Sequence, residues 1–230
     1  MNPLEFEEKI GITFTNKDLL KQAFIHRSFL NENPSETLPH NERLEYLGDA
    51  VLELVVSEFL FSELPDVHEG ELTAIRAALV NTRSLAGIAD ELQMDSYLLL
   101  SKGEANSSGR ARQYMLANTF ESFVGALFLD QGIDAARAFI KKQLFPKLPN
   151  ILENKTWQDA KSLFQEKAQE ADGITPRYEV LAEEGPDHNK HFVVGVFLNE
   201  KKVAEGSGYS KQDAEQDTAR NALEIRGWSS

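Results

Sequence analysis

The spacing of hydrophobic and polar residues divides the chain into two parts. From residue 4 to about residue 145, apolar residues recur at the spacing of amphipathic helices, with polar breaks at residues 31–40 and 101–109. Residues 146–155 carry two prolines and few apolar side chains, a composition typical of a linker. We therefore predict an all-α domain over residues 1–150 and a linker over residues 151–157.

Beyond the linker the pattern indicates short strands between two helices. A helix is expected at about residues 158–171, with Thr156 as its N-cap and Asp159 close to completing a capping box. Three strands are predicted from segments rich in β-branched or aromatic side chains, and a last helix is expected after Ser210. The strand segments are residues 177–182, 191–198 and 202–209, and the last helix extends to about residue 226. This order predicts a small α+β (α-β-β-β-α) domain over residues 158–228, in which helices cover one antiparallel sheet.

Three acidic residues share one face of the helix predicted at residues 41–52. At about 100° per residue, Glu42, Glu45 and Asp49 fall within roughly 60° of one another. The opposite, core-facing stripe consists of Leu44, Leu47, Val51, Leu54 and Val55. Taken alone, this segment fits a solvated acidic surface and a functional site equally well.

A second helix, at residues 114–129, is apolar nearly all round, and Glu121 is its only charged residue. A helix of this kind is buried, and a buried carboxylate is costly unless a cation or hydrogen bonds compensate for it. Asn118 lies one turn earlier on the same face. If the two helices pack together, oxygens of Glu45, Asp49, Asn118 and Glu121 would converge into the ligand set that Mg²⁺ or Mn²⁺ prefers. The alternative is a Glu121–Arg pair inside the core.

Composition restricts the class of protein and the kind of metal site. The chain has 230 residues, 41% hydrophobic and 27% charged, which is ordinary for a globular protein. Without cysteine there is no disulfide or thiolate site, so oxygen or imidazole must hold any metal. The N-terminus does not resemble a signal peptide, and no apolar run is long enough to span a membrane, so we expect a cytoplasmic protein.

The net charge argues at first sight against a nucleic-acid partner. With 24 Lys+Arg and 37 Asp+Glu, the formal charge is −13. From residue 156 onward there are 9 basic and 14 acidic residues, so neither part is basic overall. A nucleic acid could therefore be held only through local positive charges or through a cation bound at the carboxylates, because neither part offers a broad positive field.

Residues 41–52 closely resemble the signature helix of ribonuclease III. Further segments similar to that family follow in the family's order, so the resemblance covers nearly the whole chain: residues 26–29, 69–73, 76–80, 103–104, 108–110, 116–121 and 125–130. The resemblance implies an endoribonuclease that cleaves double-stranded RNA with Mg²⁺, for which Mn²⁺ would substitute. The products would carry 5′-phosphate and 3′-hydroxyl ends with a short 3′ overhang, and the substrates would include ribosomal RNA precursors, transfer RNA precursors and structured messenger RNA.

The resemblance also implies roles for individual residues. The family's metal ligands correspond to Glu45, Asp49 and Glu121, and Glu42 matches a further acid that lines the cleavage site. Asp49, Glu121 and Glu42 are thus the candidate catalytic residues. The metal would lower the pKa of bound water and neutralise charge on the phosphate.

Asn118 departs from the family, which usually has Asp at this position. Asparagine keeps one ligating oxygen but removes a negative charge, so Mg²⁺ affinity should fall. The sequence leaves open whether this is a natural variant or an introduced substitution. It also leaves an alternative function, a catalytically impaired double-stranded RNA-binding protein of the same fold. Retention of the costly carboxylate of Glu121 favours the enzyme.

Tyr46 lies about 40° from the acidic face, away from the main apolar stripe. An aromatic residue there either packs against a neighbouring helix or projects into a partner subunit. Members of the family are homodimers in which the matching residue fits into the other subunit, so we expect a homodimer with Tyr46 at its interface.

The C-terminal part resembles a double-stranded RNA-binding domain, on residues 185–192 and 206–211 together with the α-β-β-β-α order. Such domains contact two minor grooves and the phosphates between them. Four residues match the positions that contact one minor groove: Ser162, Gln165, Glu166 and Gln169. His188 matches the residue that enters the next groove, and Lys211 would hold phosphates at a helix N-terminus. Because the net charge is negative, RNA binding would have to rest on local contacts near Lys211, Lys190 and His188. Gln212 and Glu215 replace common basic residues, which predicts weaker binding with a shallower salt dependence.

Overall fold

The computed structural model describes residues 5–155, 157, 159–185 and 190–228. It divides into two compact units, Met1–Trp157 and Gln158–Ser230. The first unit is helical and the second is α-β-β-β-α, which confirms the predicted fold class. Among the described residues, no helix combines the length and the apolar content needed to cross a membrane.

Helices account for the regular structure described in the first unit, apart from one isolated parallel bridge between Ile25 and Leu99. Gly132 interrupts the eighth helix with the non-helical dihedrals φ 81° and ψ −176°. Two 3₁₀ turns, at Met94–Tyr97 and Phe145–Lys147, join longer elements. The helices are α1 (Phe6–Ile10), α2 (Lys17–Ala23), α3 (Arg27–Glu32), α4 (Glu42–Glu63), α5 (Glu69–Val80), α6 (Thr82–Glu91), α7 (Lys102–Ala105), α8 (Gly109–Leu144) and α9 (Leu148–Glu153).

Helices α4 and α8 cross in the centre of this unit with their backbones in contact. A Cβ atom added to Gly48 would lie 1.8 Å from the carbonyl oxygen of Glu121, and one added to Gly125 would lie 2.2 Å from that of Leu44. Only glycine allows so close an approach, because any side chain would meet main-chain atoms that cannot rotate away. Around the crossing, Phe6 and Phe123 lie edge to face in the hydrophobic core.

Two expectations for this unit are wrong. Residues 148–153 form helix α9, whose Leu148 and Ile151 are buried in the core of the first unit. The first three residues of the linker predicted at 151–157 therefore belong to this helix. Pro149 does not prevent this helix because it occupies the first turn, where a missing N–H costs no hydrogen bond. Leu54, predicted on the core side of α4, is 60% exposed because the buried face is centred on the contact with α8.

The second unit consists of α10 (Ala160–Asp172), β1 (Arg177–Glu184), β2 (His191–Leu198), β3 (Lys201–Gly208) and α11 (Lys211–Arg226). The strands form an antiparallel sheet in the order β1-β2-β3, and Asn199 and Glu200 make the turn between the last two. The N-cap of α10 is Asp159, whose carboxylate accepts a hydrogen bond from Ser162 N (2.8 Å); Thr156, predicted as the cap, lies outside the described residues. Ser210 caps α11 in the same way, by accepting from Asp213 N (3.1 Å).

Candidate functional site

Three carboxyl groups lie near one another where α4 crosses α8. Glu45 and Asp49 lie one turn apart on α4, and Glu121 lies on α8 with its own carbonyl oxygen against Gly48. The backbone contact at Gly48 therefore holds the helix bearing Glu121 directly beside the helix bearing the other two acids. The structure brings together the three acidic residues that the sequence analysis predicted as metal ligands.

Burial and repulsion by neighbouring carboxylates raise the pKa of all three groups. Burial raises the pKa of Glu121 to about 8, with further contributions from the charges of Asp49 and Glu45. The pKa of Glu45 is raised by burial and then by Glu42 and Asp49, and that of Asp49 is raised by burial and then by Glu53. At neutral pH the protein by itself thus keeps a proton on Glu121, because the site lacks compensating positive charge.

Asn118 belongs to the same cluster. Its side chain forms a hydrogen bond with the Glu45 carboxyl group, which partly offsets the increase in the pKa of Glu45. The amide therefore supports the ionised form of one acid, where an aspartate would repel it. The alternative of a Glu121–Arg pair is wrong for the described part of the chain, where no ion pair to Glu121 is found.

Glu42 lies at the edge of the cluster and is about half exposed. Arg27 Nη1 is 3.6 Å from one of its carboxylate oxygens, and His40 Nδ1 is 3.7 Å from the other. His26, next to Arg27, has a lowered pKa because it is partly buried, and its Nδ1 lies 2.8 Å from Ser28 Oγ. These contacts place a mixed group of acidic and basic side chains beside Glu45, Asp49 and Glu121, of which Glu45 and Glu121 are partly buried and Asp49 is exposed.

The donor set suits a divalent cation, although the side chains are not arranged as a closed site. Within the ranges that the structure describes, no three His, Cys, Asp or Glu side chains converge closely enough to hold a metal ion as they stand. However, Glu45, Asp49 and Glu121 offer carboxylate oxygens and Asn118 an amide oxygen, the ligand types that Mg²⁺ and Mn²⁺ prefer. A cation would also supply the positive charge that the cluster lacks.

Tyr46 does not pack against a neighbouring helix of the same unit. Its side chain is 82% exposed, and it begins a stripe along α4 that continues through exposed Ala50 and Leu54 to Phe61, which is 76% exposed. These positions are spaced as one face of a helix. A stripe of large apolar side chains left in solvent is a feature of protein interaction sites.

In the second unit, the predicted minor-groove residues share one exposed face. They line an open groove of about 440 Å³ along α10, together with Glu170: Ser162, Gln165, Glu166 and Gln169. Glu215 forms an ion pair with Lys161 of α10 (2.6 Å), which connects α11 to α10. Lys211 begins α11 as predicted, and both Lys211 and Lys190 contact Glu183. His188 lies outside the described residues.

Comparison with known families agrees with both units. Residues 16–148 match the family described as Ribonuclease-III-like, and residues 160–225 match the double-stranded RNA binding motif. The chain belongs to the ribonuclease III family. It is 48% identical to Ribonuclease 3 of Bacillus cytotoxicus over 218 residues, covering 95% of this chain and 89% of that protein. Ribonuclease 3 of Bacillus cereus matches with the same identity and coverage.

A solved structure of the family supports the fold of the first unit. The nuclease domain of ribonuclease III from Campylobacter jejuni is 38% identical, covers 63% of this chain and 99% of its own, and superposes with a TM-score of 0.56.

The sequence analysis of this ribonuclease III family member did not predict Arg27 and His40 as partners of Glu42. The motif at residues 26–29 was the available signal, but its closeness to Glu42 depends on tertiary packing.

Proposed function

We propose that this double-stranded-RNA-specific endoribonuclease is a homodimer that hydrolyses phosphodiester bonds with the help of Mg²⁺. Its products would carry 5′-phosphate and 3′-hydroxyl ends with a short 3′ overhang. Membership of the ribonuclease III family and the double-stranded RNA binding motif support the reaction and the substrate class. The observation that carries the proposal is the group of Glu45, Asp49 and Glu121 at the crossing of α4 and α8.

Glu45, Asp49, Glu121 and Asn118 would hold the cation. Bound there, Mg²⁺ would supply a water of lowered pKa and offset charge on the phosphate. The protein supplies anionic oxygens on two helices whose spacing is set by main-chain contact, and the carboxyl side chains would close around the cation when it binds. To serve as a ligand, Glu121 must release the proton that its raised pKa retains. Mn²⁺ offers the same preference for oxygen ligands.

Asn118 would raise the Mg²⁺ requirement. Its amide contributes no charge, so the site carries one negative charge fewer than with aspartate. Its hydrogen bond to Glu45 favours the ionised form of that carboxyl group, which keeps one ligand available. We therefore infer a nuclease that needs more metal, in preference to a protein that only binds RNA.

Glu42 would act at the edge of the cleavage site. Arg27 and His40 hold its carboxylate between them, at 3.6 and 3.7 Å. Arg27 is largely exposed, so its guanidinium group is available to an RNA phosphate as well as to Glu42. Exchange of Arg27 between these two anions would bring the substrate backbone next to the carboxyl cluster.

The second unit would hold the RNA duplex by its shape. Ser162, Gln165, Glu166 and Gln169 present polar groups of both donor and acceptor type along one face of α10, which suits 2′-hydroxyl groups in a minor groove. Lys211, Lys190 and His188 would contact the phosphates and the adjacent minor groove.

The exposed stripe on α4 would form the dimer interface. The exposed side chains of Tyr46, Leu54 and Phe61 lie on one face of the same helix, and grouped apolar side chains of this kind are typical of protein interfaces. The Campylobacter jejuni structure is described as showing structural flexibility in a region involved in dimer formation of its nuclease domain. A dimer would place two cleavage sites on one duplex, each cutting one strand, so that their offset produces the overhang.

The decisive experiment incubates the purified protein with a long RNA duplex over a series of Mg²⁺ and Mn²⁺ concentrations. Discrete short duplexes that disappear for Glu121→Ala support the nuclease. RNA that is shifted on a native gel but stays intact at every metal concentration supports the RNA-binding protein instead.

The substrates that we propose are precursors of ribosomal and transfer RNA and structured messenger RNA, which would place the enzyme in the cytoplasm.

A further inference from the structure

One carboxylate, that of Glu183, contacts both lysines that are expected to bind RNA phosphates. Lys211 Nζ lies 3.2 Å from one carboxylate oxygen of Glu183, and Lys190 Nζ lies 3.9 Å from the other. All three side chains are partly exposed, so solvent and ligands can reach the group. Glu183 therefore lies where the RNA backbone would have to approach these lysines.

The register of the sheet places Glu183 at this position. Glu183 is paired with Phe192 on β2, and Phe192 is paired with Gly208 on β3. Residues directly opposite one another in antiparallel strands share a face, and Phe192 is buried against Ala214 of α11. Glu183 is thus on the face that α11 covers. Lys211 starts α11 three residues after Gly208, and its Nζ lies 5.5 Å from the centre of the Phe192 ring.

A carboxylate and a phosphate compete for the same ammonium group. Both are anionic oxygen acceptors for charge-assisted hydrogen bonds from lysine. A phosphate bound to Lys211 would also lie within a few ångströms of the charge of Glu183, which repels it. Lysines that are already neutralised inside the protein displace fewer counterions from RNA, so the salt dependence of binding becomes shallower.

We propose that Glu183 sets the affinity of the second unit for RNA by competing with the phosphate backbone for Lys211 and Lys190. The inference rests on the proposed RNA-binding function of this unit. Glu183 acts in addition to the missing basic residues at Gln212 and Glu215, because it also reduces the effect of the lysines that are present. Its removal strengthens RNA binding, although the residue contributes no contact to RNA.

The test measures binding of the full-length chain to a labelled, fully paired RNA duplex longer than the ~16 base pairs that such a domain spans. Fluorescence anisotropy is recorded in EDTA, so that the RNA is not cleaved, from about 50 to about 200 mM salt. Glu183→Gln should bind about threefold to tenfold more tightly at the lowest salt, with a slope of log K against log salt that is steeper by about 1. The gain should be absent when Lys211→Met is also present.

Glu205→Gln is the matched control. It removes the same charge and releases Lys202 from an ion pair within the same sheet. Lys202 lies near the start of β3, roughly 20 Å along the strand from Gly208, and Glu205 lies roughly 10 Å from it. An equal gain in affinity for this control would mean that net charge alone acts, and it would overturn the inference. Unchanged binding of Glu183→Gln, with wild-type chain binding the duplex, would overturn it as well.

Failure of the proposed function would look different. In that case neither the wild-type chain nor Glu183→Gln would bind the duplex at the lowest salt, and no competition would remain to be measured. Circular dichroism of each variant, compared with the wild-type chain, shows whether the second unit is folded. A gain that persists with Lys211→Met would contradict competition for Lys211.

Discussion

Replacement of Glu121 by glutamine should stabilise the metal-free protein and remove its response to Mg²⁺. The folded protein raises the pKa of this carboxyl group from its usual 4.5 to about 8, mainly through burial and then through Asp49 and Glu45. Glutamine is nearly the same shape and carries no charge, so it removes the unfavourable ionisation while leaving the packing intact. The variant isolates the electrostatic cost of the site.

The direction and the size of this change in stability follow from the linkage between protonation and folding. Below pH 4.5 the group is neutral in both the folded and the unfolded chain, so its ionisation costs nothing. Between pH 4.5 and about 8 the unfolded chain releases the proton and the folded chain retains it, so the free energy of unfolding falls as pH rises. At about 1.36 kcal/mol per pH unit, the 2.5 units between pH 4.5 and pH 7 amount to about 3 kcal/mol. Above pH 8 the cost is constant.

The assay is urea denaturation of the first unit in EDTA at fixed protein concentration, from about pH 5 to about pH 8. Trp157 fluorescence, in a Trp228→Phe background, reports on this unit because Trp157 contacts its core. Glu121→Gln should be more stable than the wild-type chain by an amount that grows from about 0.7 kcal/mol at pH 5 to about 3 kcal/mol at pH 7. Excess Mg²⁺ should then stabilise the wild-type chain and not the variant.

Glu63→Gln, which removes an exposed carboxylate from the end of α4, controls for the loss of one charge. If Glu121→Gln and the wild-type chain show the same pH dependence of stability in EDTA, the reasoning about burial and repulsion is refuted. Stabilisation by Mg²⁺ that survives in Glu121→Gln would refute the role of Glu121 as a ligand, whatever the pH dependence.

Three further predictions follow from the geometry. Asn118→Asp restores a fourth negative charge and should lower the Mg²⁺ concentration for half-maximal cleavage by about tenfold; an unchanged rate and an unchanged Mg²⁺ titration would contradict this role. Gly48→Ala should destabilise the first unit by about 3 kcal/mol or more in thermal or urea denaturation, because its Cβ would lie 1.8 Å from a carbonyl oxygen. Gly87→Ala on α6, where a Cβ meets no atom within 4 Å, should be neutral or stabilising. Equal effects of the two substitutions on stability would count against the close crossing of α4 and α8. Tyr46→Ala should raise the dissociation constant of a homodimer by about 10- to 100-fold in sedimentation experiments. Tyr209→Ala, which removes an exposed tyrosine of the second unit, is the control. A wild-type chain that is monomeric at micromolar concentration and still cuts both strands would refute the dimer.

Local sequence patterns predicted the elements of the second unit closely. The strand at residues 191–198 and the helix after Ser210 have the expected bounds, because β-branched runs and an N-cap serine act within a few residues. The linker predicted at residues 151–157 overlaps the last three residues of helix α9, because Pro146 and Pro149 suggested a break in regular structure. Packing of Leu148 and Ile151 on a distant part of the core decided the helix there, and no local pattern contains that contact.

For the candidate site as well, local sequence patterns predicted some features and tertiary packing decided others. Helical spacing alone placed Glu45 and Asp49 on one face, and the apolar surroundings of Glu121 alone indicated an unusual buried acid. Which side chains meet was decided by the crossing of α4 and α8. That crossing depends on Gly48 and Gly125, which a helix pattern reads only as weak helix formers.

The sequence by itself determined the order of helices and strands in the second unit, the family and the residue types available for chemistry, because these depend on local periodicity and on motifs. Only the tertiary structure decided the pKa of Glu121, the exposure of Tyr46, Leu54 and Phe61, and the contact of Glu183 with Lys211. Each of these depends on distances between segments far apart in the chain, and burial and Coulomb energy are functions of such distances.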